Sequence, residues 1–154
     1  MSSEEETFRR LVVELRILEG TAEALQSRIN LINAALTEFR VAKMTLEGLE
    51  KEKEDAPLFV PIGGGSYIKA KLESAETMIV GLGADVAVEK TLGEAKESLG
   101  HRIEDLEKTR TSLWQQLNEV IGKIQDGRAK LEEIAASLRE KGRPQGVRET
   151  KKRT

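Results

Sequence analysis

Cysteine is absent from this 154-residue chain, and only 3% of its residues are aromatic. The first absence rules out disulfides, thiol catalysis and thiolate metal sites, and it suits a reducing compartment. The second, beside 34% charged residues, argues against one large common core and for an elongated module. No apolar run approaches the roughly 20 residues that span a bilayer. The opening Met1-Ser-Ser-Glu-Glu-Glu6 lacks the basic and apolar regions of a signal peptide. A cytoplasmic protein with no membrane partner is expected. There are three prolines and one histidine, so histidine clusters for metal binding are also excluded.

Two apolar heptad arms are present instead. In the first, Phe8, Leu11, Leu15, Leu18, Ala22, Leu25, Ile29, Ile32, Leu36, Phe39, Lys43 and Leu46 alternate at spacings of three and four. In the second, Leu99, Ile103, Leu106, Arg110, Leu113, Leu117, Val120, Ile124, Gly127, Leu131, Ile134 and Leu138 do the same. A 3.5-residue period held this long specifies a left-handed coiled coil. At about 1.5 Å per residue each arm would extend roughly 70–75 Å. Thr7 or Ser3 is the expected cap of the first helix, with Glu4–Glu6 favourably placed at its positive end. Lys43, Arg110 and Gly127 on the seam are expected to weaken it locally.

The segment between the arms is too long for a plain helix–helix turn. Residues 58–62 are apolar and partly β-branched, Gly63–Ser66 is a turn, and 67–72 alternate, with Ile68, Ala70 and Leu72 on one face of a half-buried strand. Ser74–Glu76 and Gly83–Asp85 read as further turns, flanking strands at 77–82 and 86–90. Pro61 confines the first strand to an edge, because it has no N–H for a ladder. Two hairpins with exposed edges and an apolar face are poorly stable alone. Burying each Leu, Ile or Val there against a partner contributes roughly 1.5–3 kcal/mol, so the hairpins are the expected assembly surface. The organisation is therefore residues 4–55 as an N-terminal coiled-coil helix, 57–91 as a double-hairpin module, 92–140 as a C-terminal coiled-coil helix and 141–154 as a basic tail. From Arg139 to Thr154 the chain holds seven basic residues and two acidic ones. That end reads as a solubilising terminus in preference to a nucleic-acid site.

No constellation suits catalysis or a cofactor. Gly63–Ser66 lacks the Gly-Lys-Ser/Thr that completes a phosphate loop, and Gly81-Leu-Gly83 lacks a third glycine because position 86 is valine. His101 falls on the outer face of the second arm with no companion for metal or proton transfer. The carboxylates are interspersed with Lys and Arg along solvated faces. Catalytic, cofactor and metal residues are accordingly none. Apolar residues off the seam are more telling. Leu31 and Val41 in the first arm, and Trp114, Ile121 and Ala135 in the second, read as ordinary flanking positions. Val12, Val13 and Ile17 read differently, because an antiparallel pairing brings residues 8–17 beside 131–138 at a free end that frays and exposes apolar surface.

The chain also resembles a known family. Helix, two hairpins and helix, with Phe59-Val-Pro-Ile-Gly-Gly-Gly-Ser-Tyr-Ile68 and then Val80-Gly-Leu-Gly-Ala-Asp-Val-Ala-Val-Glu-Lys90, closely resemble the α-type subunits of archaeal prefoldin. The resemblance runs through about Leu138; the basic tail after Gly142 lies outside it. It implies a mainly α fold with a small β part: a long antiparallel two-helix coiled coil joined by two β-hairpins that form an oligomeric β-barrel. Two α-type and four β-type subunits would join through those barrels. The resemblance places assembly on Val60, Ile62, Ile68, Leu72, Ile79, Val80, Leu82, Val86 and Val88. It places the binding of unfolded client proteins on Phe8, Leu11, Val12, Leu15, Leu131, Ile134 and Leu138. Transfer to a group II chaperonin without nucleotide hydrolysis is the implied activity, and a structural or filament-forming subunit is the alternative.

Overall fold

The computed structural model describes residues 2–142. The expected basic tail lies outside these from residue 143 onward. The element order is helix α1 (Ser3–Glu50), strands β1 (Pro57–Gly63), β2 (Ser66–Lys71), β3 (Thr77–Gly83) and β4 (Val86–Thr91), then helix α2 (Leu92–Gly142). The fold is mainly helical with a small β part. Its described residues fall into two compact units: residues 2–28 with 113–142, and Ile29–Ser112.

In the first unit the helices run antiparallel. Glu4 meets Lys141 at 3.0 Å and Glu19 meets Arg128 at 2.7 Å, so the partner number falls as the α1 number rises. Leu15, Leu25, Leu113, Leu117 and Ile124 form its core. Ser2, and neither Ser3 nor Thr7, caps α1: the Glu5 N–H donates to Ser2 Oγ at 3.3 Å. Thr7 instead lies inside the helix and donates its hydroxyl back to the Ser3 carbonyl.

The second unit repeats the antiparallel pairing. Arg110 donates to Asn33 at 3.1 Å, Arg40 to Glu107 at 2.6 Å and Lys96 to Glu50 at 2.8 Å. Ile29 and Leu36 are its most deeply buried large side chains, at 0% and 1% exposure. Arg110 therefore does not simply interrupt the seam. It spans the two helices through a half-buried polar contact. α1 stops at Glu50, short of residue 55, because Lys51–Ala56 turn and Asp55 takes a φ of 64°. α2 opens on a reciprocal cap: the Glu94 N–H donates to Thr91 Oγ1 at 3.2 Å, and the Thr91 N–H to the Glu94 carboxylate at 3.3 Å.

The two hairpins share one geometry. β1–β2 pairs Pro57 with Lys71 through Pro61 with Tyr67; β3–β4 pairs Thr77 with Thr91 through Gly81 with Ala87, each residue twenty positions on. Both have an irregularity just before the turn, at Ile62 and Leu82. Both turns need positive φ: Gly64 and Gly65 in one, Ala84 at 50° and Asp85 at 60° in the other. The bonds that close the open ends of the hairpins repeat as well, Leu72 N–H to the Ala56 carbonyl and Leu92 N–H to the Glu76 carbonyl.

Candidate functional site

Each hairpin has two faces, because successive strand residues point to opposite sides. Leu58, Val60, Ile68 and Ala70 share one face of the first hairpin, and Met78, Val80, Val88 and Lys90 the corresponding face of the second. On this face Leu58, Ala70, Met78, Val80, Val88 and Lys90 are half-buried. Towards the turns the cover ends: Val60, Ile62, Ile68, Leu82 and Val86 are exposed. The half-buried strand expected at 67–72 thus holds for Ala70 and Leu72 and fails for Ile68, and β2 itself ends at Lys71. Among the described residues nothing covers these turn-end positions of the sheets.

The other face is open along its whole length. Phe59 and Tyr67 stand on it in the first hairpin, 68% and 62% exposed, and Ile79 in the second, 81% exposed. The nine assembly candidates are therefore not one surface. Ile79 lies opposite Val80 and Val88, since neighbouring strand residues cannot share a face. Phe59 and Tyr67 are equally accessible apolar residues that the expected set omits; their signal was available in the alternation of β1 and β2.

A cleft of about 430 Å³ runs beneath β3, lined by Phe39, Leu46, Met78, Ala95, Leu99 and Arg102 among others. Ala95, off the heptad seam, is only 1% exposed. Arg102 lies 5.7 Å from the centre of the Phe39 ring and 3.5 Å from the Gly81 carbonyl. It thus connects α2 with α1 and with β3.

The seven client-binding candidates all fall in the first unit. Leu15 is buried, while Phe8, Leu11, Val12, Leu131, Ile134 and Leu138 are half-buried. Leu11, Leu15 and Leu18 floor a recess of about 300 Å³ rimmed by Glu14, Lys123, Asp126 and Lys130. None of the three α2 candidates lines that recess. Val13 and Ile17 are more exposed than any of the seven, at 58% and 64%. At the helix ends the Glu4 carboxylate accepts bonds from Lys141 and Ser137, and its pKa is held below the ordinary value chiefly by the Lys141 hydrogen bond. In the second unit the bond to Glu50 raises the Lys96 pKa.

Among the described residues, no three His, Cys, Asp or Glu side chains group as metal ligands, and no polar side chain is buried. His101 is exposed, with Glu97 3.7 Å away. No helix among them is long and apolar enough to cross a membrane.

Comparison with known proteins agrees with this architecture. Residues 18–137 match the family model described as prefoldin subunit. The chain is 30% identical over 135 residues to the prefoldin subunit alpha of Methanobrevibacter smithii, covering 86% of this chain and 90% of the relative. It is 31% identical to that of Methanosarcina acetivorans, covering 90% and 96%. The cryo-EM structure of filamentous PFD from Methanocaldococcus jannaschii is similar at a TM-score of 0.64 and 26% identity, covering 75% of this chain and 95% of that one. The prefoldin beta subunit from Thermococcus strain KS-1 shares the fold at a TM-score of 0.55 and 17% identity, over 82% and 90%.

Proposed function

This chain belongs to the prefoldin subunit family, a family of chaperone-type subunits, and from that premise we propose that it is the α-type partner in a cytoplasmic co-chaperone that captures unfolded proteins. The observation that carries the reading is the set of apolar residues left uncovered at the hairpin ends: Val60, Ile62, Ile68, Leu82 and Val86. These close against the hairpins of β-type subunits, in the two-to-four ratio the family implies, into oligomeric β-barrels. The module at 57–91 is then the assembling domain and the two helices are the working limbs. Leu72, Val80 and Val88 support the same interface from its half-buried side, and Ile79 contributes from the opposite face.

Clients bind at the far ends of the helices. Phe8, Leu11, Val12, Leu15, Leu131, Ile134 and Leu138 supply apolar contacts that are individually weak. Several limbs acting together raise avidity while each contact remains reversible, which suits transfer to a group II chaperonin. No step needs a nucleotide, and no catalysis is assigned to any residue.

The test is aggregation of reduced, guanidine-unfolded lysozyme in the presence of the chain with a β-type subunit. F8S/L11S/L138S is expected to abolish protection while the complex keeps its mass by light scattering. Unchanged protection overturns the placement of clients at the helix ends. V60D/V80D is expected to abolish the complex itself. The similarity to a filamentous PFD supports a second reading, a filament-forming subunit; mass that grows with concentration, in place of a fixed complex, distinguishes it.

A further inference from the structure

α1 carries a second stripe behind its buried seam. Val13, Ile17, Gly20, Ala24 and Ser27 follow one another at spacings of four and three, the period of a coiled-coil seam, and all five are exposed. Each lies two positions after a residue of the first seam, about 200° around the helix, so the stripe faces away from α2. It holds no charged residue, and its two large side chains, Val13 and Ile17, are 58% and 64% exposed. Beside them the surface is hollow: a Cβ built on Gly20 would meet nothing within 4 Å. Arg16 and Glu23 border one edge of the stripe, each just before a stripe residue and seven positions apart. Both are exposed, and among the described residues neither has an ion-pair partner in the chain.

We propose that this stripe packs antiparallel on the same stripe of a second copy of the chain, with Ile17 against Gly20, Val13 against Ala24 and Arg16 opposite Glu23. A two-fold axis between Leu18 and Glu19 makes each contact twice, so the pair closes. The occupant is a second copy because the stripe carries its own complement in size and in charge. Each large side chain meets a small residue, and Ile17 enters the space that Gly20 leaves open. Charge fixes the register. A slip of one heptad in one direction sets Glu23 against Glu23, and in the other Arg16 against Arg16. A parallel pair would stack Ile17 on Ile17 and Gly20 on Gly20, crowding one layer and emptying the next. The contact involves neither hairpin and does not rest on the client reading.

The chain has no cysteine, so introduced thiols report this contact alone. Full-length V13C and A24C are mixed in equal amounts in a glutathione redox buffer, and the disulfides are resolved by mass. The mixed V13C–A24C disulfide is expected to exceed either homodimer roughly tenfold, because facing positions come within disulfide reach while the two copies of residue 13 lie about 16 Å apart along the axis. R16E carried in both chains, or E23R in both, is expected to lower the mixed product roughly fivefold. R16E/E23R in both chains restores the attractive pairs and is expected to recover it. G20L adds apolar surface and helix propensity but closes the socket for Ile17, so it too is expected to lower the yield. Constant helical circular dichroism is the folding control. Equal amounts of mixed and homodimeric product, an excess of the V13C homodimer as a parallel pair would give, R16E without effect, or a yield that rises in G20L each overturns the contact. Client protection is measured separately, so failure here leaves the functional reading standing, and the converse holds.

Discussion

Leu15 fits into the place where Gly127 has no side chain: a Cβ built on Gly127 would lie 2.8 Å from Leu15 Cδ2 and 3.4 Å from its Cγ. The glycine on the seam is therefore a socket for a buried leucine, where its position alone suggests a weak point. Gly127→Ala sets two effects against each other. Helix propensity improves by about 1 kcal/mol, while overpacking costs about 1–3 kcal/mol. A net loss of about 1 kcal/mol is expected in urea unfolding. In a Leu15→Ala background the clash is gone, so the same substitution should stabilise by about 1 kcal/mol. Equal effects in the two backgrounds would contradict the socket.

Ala84 carries a left-handed φ of 50° in the turn where its structural equivalent, Gly64, sits at 58°. An L-residue there costs roughly 1–2 kcal/mol, partly offset by its lower freedom in the unfolded chain. Ala84→Gly is expected to stabilise by about 0.5–1 kcal/mol, and Gly64→Ala to destabilise by about 1 kcal/mol. Amide exchange in β3 and β4 should slow in the first variant, and exchange in β1 and β2 should quicken in the second.

The long helices were legible because one period ran through them. Ile29 and Leu36, the most buried large side chains of the second unit, both lie on the heptad seam. The hairpins were legible from alternation and turn glycines. Ala95 was not: Lys96 stands where the heptad expects an apolar residue, and the cleft that Ala95 shares with Met78 and Phe39 joins residues distant in the chain. The contacts of Gly127 and Arg110 were illegible for a related reason. Their partners, Leu15 and Asn33, are distant in the chain, and a one-dimensional pattern records only the missing apolar group. The assembly set merged two faces because apolar character was judged residue by residue, whereas face depends on register. Composition alone could not separate Ile79 from Val80.

Arg102 anchors β3 to both helices through the Phe39 ring and the Gly81 carbonyl. An exposed cation–π contact contributes about 0.5–1 kcal/mol, and the long contact to Gly81 adds little. Arg102→Ala is expected to lower stability by about 1 kcal/mol and to quicken amide exchange in β3 and β4 while leaving residues 3–20 unchanged. Arg102→Lys should recover only part of this, because an ammonium keeps the charge and loses the planar group that stacks. Exchange that rises equally throughout the chain would show that Arg102 has no local hold on the hairpin.

Glu4 links the start of α1 to the end of α2 through Lys141 and Ser137. The Lys141 hydrogen bond is the main cause of its lowered pKa; the lysine charge and Ser137 add to it, and desolvation opposes it. Glu4 therefore binds its proton less tightly in the folded chain than in the unfolded one. Its contribution is full above the ordinary value of 4.5 and is lost as pH falls through the lower, folded value. The expected result is a Glu4 carboxyl titration, followed by NMR, with its midpoint below 4.5 in the wild type and returned towards the ordinary value in Lys141→Ala. Over the same acidic range, wild-type helicity should fall more than that of Glu4→Gln, which has no proton to gain. Parallel acid profiles for the two would mean that the pair closing this end of the helices does not hold it shut.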